Sequence, residues 1–227
     1  MGGVATFVLG CVAIGASLLG VRGRIYYVLA RSWARVTLWA SASPVIIDGM
    51  DRIDWSEPKV LVANHISDFD VLALAGYLPV PYAFVAKKEL ERIPFFGAAW
   101  KAAGHISIDR SDREKAVQSL HRAGEKMRRE KSVVIIFPEG TRSRTGELQP
   151  FKKGAFVLAQ EAGVAIVPVA VSGSDRIKRP GDPRIHPGPI YLKFLEPVRP
   201  STFSGRSVDD LMGSVRCAMA EALGKPA

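Results

Sequence analysis

The chain has 227 residues, of which 48% are hydrophobic, and it carries 31 basic against 22 acidic side chains for a net charge of +9. That is enough apolar material for one or two packed domains, and it excludes a disordered tail or a small disulfide-stapled module, because the two cysteines, Cys11 and Cys217, lie far apart. No nucleic-acid motif accompanies the basic excess and aromatics do not interleave with the cations, so an anionic lipid surface suits the charge better than nucleic acid does.

Residues 4–21 contain no charge and would span about 27 Å as a helix, slightly short of a typical hydrocarbon core. Arg22 and Arg24 interrupt the run. Residues 25–42 then resume an apolar pattern with Arg31 and Arg35 four apart on one helical face, and Tyr26, Tyr27, Trp33 and Trp39 suit a headgroup zone. The expectation is a two-helix membrane anchor over residues 1–45, interfacial or re-entrant, followed by a catalytic domain over residues 46–227 on the cytoplasmic face. No basic residue precedes the apolar run, which argues against a cleaved signal peptide.

Beyond the anchor the pattern alternates. Strands are expected over residues 59–63, 82–86, 105–108, 133–137, 165–171 and 190–194. Helices are expected from about Ser67 or Asp68, over residues 111–130 with Ser111 and Glu114 as a capping box, over 156–162, and over 207–223. Such alternation predicts an α/β layered domain with a mainly parallel or mixed central sheet flanked by helices. Motifs at strand ends would then converge on one sheet edge. The apolar stretch that includes Phe84, Ile93, Pro94, Phe95, Phe96 and Trp100 reads equally as core or as lipid contact.

The first chemical block is Asn64-His65-Ile66-Ser67-Asp68-Phe69-Asp70, directly after the run Val60-Leu61-Val62-Ala63. A neutral imidazole can take a proton from a hydroxyl near pH 7, and a carboxylate on its other ring nitrogen fixes tautomer and direction. With four histidines and 22 acids in the chain, one such spacing arises by chance in roughly two sequences of five, so the block needs support. It comes from residues 137–143, Phe-Pro-Glu-Gly-Thr-Arg-Ser, where a strand breaks at proline into a loop with an acid, a close-approach glycine and a guanidinium fork suited to phosphate. Residues 104–110, Gly-His-Ile-Ser-Ile-Asp-Arg, add a short strand ending in Arg110, and Lys152 and Lys153 precede a helix.

These blocks, with Ile166-Val167-Pro168-Val169, resemble the four blocks of the glycerolipid acyltransferase family over about residues 55–175. Ser107 stands where that family usually has a bulky apolar residue, which leaves the acceptor open. The resemblance implies that His65 is the base and Asp70 its orienting partner, while Arg110, Glu139, Gly140 and Arg142, with Thr141 among them, hold a glycerol phosphate acceptor. Lys152 and Lys153 would add to the field. Glu139 would bind a glycerol hydroxyl or hold an arginine in place. The implied reaction transfers an acyl chain from acyl-CoA or an acyl-carrier protein to the sn-2 hydroxyl of 1-acylglycerol 3-phosphate at a bilayer, without a resident cofactor.

Alternatives stay open at this point. The acceptor could be glycerol 3-phosphate, another lysophospholipid or a lyso-aminolipid, or the protein could bind lipid without turnover. Ser67 as a nucleophile lacks a glycine-flanked elbow and reads better as a helix N-cap. His65, Asp68 and Asp70 could ligate a cation, yet the other blocks supply no further histidine or acid cluster. His105, His121 and His186 read as structural or surface histidines.

Overall fold

The computed structural model describes residues 24–93, 96–109, 113–179, 182 and 184–225. The strands are β1 (Val45–Asp48), β2 (Lys59–Ala63), β3 (Tyr82–Lys87), β4 (Ile106–Ile108), β5 (Val133–Ile136), β6 (Ala165–Ser172) and β7 (Ile190–Phe194). The helices are α1 (Arg24–Ala40), α2 (Asp68–Tyr77), α3 (Phe96–Ala102), α4 (Arg113–Glu130), α5 (Gly154–Ala162), α6 (Ser174–Ile177) and α7 (Val208–Leu223). Every expected strand is present, and β1 is an addition. Ser111, the expected cap of α4, lies outside the described residues.

All seven strands form one sheet in the order β1-β7-β6-β2-β5-β3-β4. The five from β6 to β4 run parallel, while β7 pairs antiparallel with β6 and parallel with β1, so the sheet is mixed. Strand alternation sends Leu61, Ala63, Ile135 and Val169 to one face and Val60, Val62, Val134 and Ile136 to the other. The first face packs against α1 and α2, and the second against α4, α5 and α7. Because both faces are covered, the central strands are apolar throughout rather than alternating. Five parallel strands also deliver five C-terminal ends to one edge, and the motif blocks follow those ends.

Helix α1 belongs to this packing. Tyr26, Ala34 and Leu38 are buried, and Tyr27 Oη and Arg31 Nη1 both donate to the carbonyl of Leu78, at 2.9 and 2.8 Å. Arg35 Nε donates to the carbonyl of Gly76 at 2.8 Å. The two arginines thus satisfy carbonyls at the C-terminus of α2, the dipole end that favours cations. Of the aromatics expected at a headgroup zone, Tyr26 is buried, Tyr27 is bonded to Leu78 and Trp33 packs on the core, while Trp39 is 71% exposed. Ile25, Val28 and Val36 share that exposure. Among the described residues no helix is long and apolar enough to cross a membrane. The first expected anchor helix, residues 4–21, lies outside them, as does Cys11.

Candidate active site

At the end of β2 the chain turns into α2 through a capping box. Ser67 is the N-cap, as its sequence position suggests, and Asp70 at the third helical position accepts from the Ser67 backbone N–H at 2.8 Å. The same carboxylate oxygen, Oδ2, accepts from the Ile66 N–H at 2.7 Å and stands 2.9 Å from His65 Nδ1. A local helix-start device therefore also orients the imidazole. With Nδ1 facing a carboxylate, the proton sits on Nδ1 and Nε2 is the basic nitrogen. Asp70 is fully buried, while the His65 side chain is 16% exposed and stacks on Phe137 from the end of β5, with ring centroids 4.1 Å apart.

The two main blocks are bonded to each other. His65 O accepts from Ser143 N at 2.8 Å, and His65 N donates to Glu139 Oε1 at 3.0 Å. Glu139 is buried, and its Oε2 finds no hydrogen-bond partner among the described residues. Burial pushes its carboxyl up to about 7, with hydrogen bonds from the backbone of His65 and Gln149 pulling the other way. Glu139 thus joins two strand-end loops, and no arginine among the described residues pairs with it. Gly140 adopts φ 77°, and a Cβ there would come within 2.9 Å of Lys152 Nζ, so the turn needs glycine.

His65 opens into a groove of about 1960 Å³. Its apolar lining includes Trp33, Leu72, Phe84, Phe96 and Trp100. Trp100 is held by its indole N–H, which donates to Ser107 Oγ at 3.1 Å, so the departure at position 107 serves to seat a groove aromatic. The groove's polar lining includes Gly140, Thr141, Arg142, Arg144, Lys178 and Arg179. Arg142 and Lys178 both pair with Asp68, at 2.8 and 3.0 Å, all three being about half exposed.

The structure therefore gathers His65, Asp70, Gly140, Thr141 and Arg142 at one place, with Glu139 beneath them. It places two expected lysines elsewhere. Lys153 pairs with Asp209 on α7 at 2.7 Å, and Lys152 is exposed beside Gly140 without lining the groove. Arg110 lies outside the described residues. Lys178, Arg179 and Trp33 were not anticipated, because they reach the groove from β6 onward and from α1, far along the chain. The other histidines sit apart. His105 is half-buried among the rings of Tyr82, Phe84 and Trp100, and this desolvation drives its imidazole down to about 4, hence neutral; His121 pairs with Glu161 and His186 with Asp182. Among the described residues no three His, Cys, Asp or Glu side chains are grouped to hold a metal ion.

The family model described as Acyltransferase matches residues 44–172. The 1-acyl-sn-glycerol-3-phosphate acyltransferase of Saccharomyces cerevisiae is 31% identical over 213 residues, covering 93% of this chain and 70% of that protein. Proteins of the same name from Limnanthes douglasii and Salmonella typhimurium are 34% and 35% identical, over 77% and 70% of this chain and 62% and 64% of their own lengths. The crystal structure of a 1-acyl-sn-glycerophosphate (LPA) acyltransferase from Thermotoga maritima superposes with a TM-score of 0.72 at 28% identity, covering 86% of this chain and 78% of that one. The chain thus spans from about three fifths to seven tenths of the length of these curated relatives.

Proposed function

Because the chain belongs to the acyltransferase family, we propose that it acylates the sn-2 hydroxyl of 1-acylglycerol 3-phosphate from a thioester donor, acyl-CoA or acyl-carrier protein, giving phosphatidic acid. The observation that carries this reading is the His65–Asp70 pair opening onto a groove lined by both apolar side chains and several cations. His65 Nε2 takes the proton of the acceptor hydroxyl as its oxygen attacks the thioester carbonyl. The tetrahedral intermediate expels the thiolate, which recovers the proton from the imidazolium. Asp70 keeps its charge throughout and stabilises the imidazolium that forms between the two steps.

Arg142, with Lys178 and Arg179, supplies the positive charge for the acceptor phosphate, and placing that phosphate brings the sn-2 hydroxyl to His65. Thr141 and Gly140 form the loop against which the headgroup rests. The acyl chains lie along Trp33, Leu72, Phe84 and Trp100. Glu139 acts by fixing the backbone of His65. For the membrane, the exposed apolar side chains of α1, namely Ile25, Val28, Val36 and Trp39, meet the lipid together with residues 4–21. Residues 1–45 then serve as the anchor of a catalytic domain over residues 46–227, on the cytoplasmic face where the basic excess meets anionic lipid.

The test is release of free CoA and formation of phosphatidic acid from acyl-CoA and lysophosphatidic acid in detergent micelles. Wild type is expected to turn over and His65→Ala to lose roughly 10²- to 10⁴-fold. A wild type active only with acyl-carrier protein or another lyso-lipid would reassign the donor or acceptor. Inactivity with all of them would end the enzyme reading.

A further inference from the structure

We propose that Ser174 is a positioning residue of this site, holding Asp70 and through it the imidazole of His65; this rests on His65 being the base. Asp70 Oδ2 is taken up by three donors, the His65 ring and the Ile66 and Ser67 backbone. Its other oxygen, Oδ1, accepts the Ser174 hydroxyl. A carboxylate held at one oxygen swings readily about its terminal torsion, whereas one held at both has its plane fixed. The plane of Asp70 sets the direction of the Nδ1 bond, and so where Nε2 points. Both Asp70 and Ser174 are fully buried, so without the hydroxyl Oδ1 would be an anionic oxygen removed from water with no donor among the described residues.

The fold goes to some length to bring the two together across 104 positions of sequence. β2 and β6 are parallel neighbours in register from Lys59 and Ala165 to Ala63 and Val169. Just beyond that pairing, the buried Asn64 amide clamps Val171, accepting from its N–H at 2.7 Å and donating to its carbonyl at 2.9 Å. The chain then turns at Gly173, whose φ is 85° and where a Cβ would stand 2.4 Å from the Pro189 carbonyl oxygen. Ser174 opens α6 immediately after that turn. Its burial and its bond to Asp70 also exclude it as a nucleophile.

The experiment compares Ser174→Ala, Ser174→Cys and Ser174→Thr in the full chain, with steady-state kinetics and thermal melts in the same micelles. Ser174→Ala is expected to lower kcat roughly tenfold with KM for donor and acceptor unchanged within twofold, the loss of one hydrogen bond to a charged group. Ser174→Thr, which keeps the hydroxyl, should recover most of kcat. Ser174→Cys keeps the volume with a weaker donor and should fall between them, and it replaces alanine should that variant not fold. In an Asp70→Asn background, Ser174→Ala should cost no further activity, since residues acting through one link are not additive. A Ser174→Ala protein with a lowered melting temperature and wild-type kcat would overturn the proposal, and so would a loss that multiplies in full with that of Asp70→Asn. The Nδ1–H resonance of His65 in ring-labelled protein reads the same link without turnover. It should shift in Ser174→Ala, and an unchanged resonance would count against the link. A wild type inert with every donor and lyso-lipid acceptor would instead count against the acyl-transfer reading.

Discussion

At the strand ends, His65, Asp70, Ser174 and Glu139 are joined by bonds between buried or largely buried groups, whereas at the groove mouth Asp68, Arg142 and Lys178 pair while half exposed to water. The first set is largely shielded from water, with only the His65 ring open to the groove, so its geometry survives only if each bond is made. The second set trades partners at little cost, because exposed ion pairs are weak and screened. Under the proposed function, the chemistry that needs a fixed direction falls in the buried half, and capture of a charged lipid headgroup in the half that can rearrange. Changes in the buried half should therefore act on kcat and stability, and changes at the mouth on KM.

The largest expected effect is that of Asp70→Asn, which keeps the volume but removes the charge opposite the imidazolium. Activity should fall about a thousandfold with KM little changed, measured by product formation under saturating acceptor. A loss confined to KM would break the division between the two halves.

Next comes the pH dependence of stability through Glu139. Its carboxyl titrates near 7 in the fold against an ordinary value of 4.5. Below 4.5 both folded and unfolded chains hold the proton, so the group has no effect on stability. Between 4.5 and 7 the unfolded chain ionises while the folded one keeps its proton, and stability falls by up to about 3 kcal/mol before levelling off above 7. Urea unfolding at pH 4.5, 6 and 7.5 should show this fall in wild type and a flatter profile in Glu139→Gln. Equal profiles would mean that the buried loop junction relaxes to admit water.

At the mouth, Arg142→Ala should raise the acceptor KM about tenfold while kcat moves less, and the penalty should shrink as ionic strength rises. Lys153→Ala is the control. Its ammonium is bonded to Asp209 and points the headgroup to nothing in the groove, so KM should stay within about twofold.

How far these features could be seen in the sequence depends on how local they are. The strands were legible because burial on both faces leaves runs such as Val60-Leu61-Val62 uninterrupted, while β1 was missed because its exposure alternates yet the apolar Ile46 sits at an exposed position, so Val45-Ile46-Ile47 shows no apolar-polar alternation. His65 and Asp70 were legible because one helix start contains both. Glu139 could be placed but not understood, since nothing in the residue type tells that a carboxylate will be buried against a backbone N–H. Ser174 and Lys178 were invisible, because they meet Asp70 and Asp68 only through the β6-β2 neighbour relation. The face of α1 was ambiguous for a physical reason. An amphipathic stripe with arginines four apart looks the same whether it meets lipid headgroups or the carbonyl end of another helix, and here Arg31 and Arg35 meet the end of α2.

The smallest expected effect sharpens the contrast most. The Asp68 carboxylate stands between Arg142 and Lys178, 2.8 Å from one and 3.0 Å from the other, paired with cations that the proposed function assigns to the acceptor phosphate. Binding then exchanges one anion for another, and the cost of separating the exposed pairs is at most about 1 kcal/mol. Asp68→Asn removes the competitor without emptying the volume, so the acceptor KM should fall about two- to threefold with kcat unchanged. The Ser67 cap and the Asp70 bonds, which do not involve residue 68, should hold the melting temperature near that of wild type. The opposite result, a raised KM, would show that Asp68 holds the two cations in place for the phosphate, and that the mouth of the groove is as preorganised as its floor.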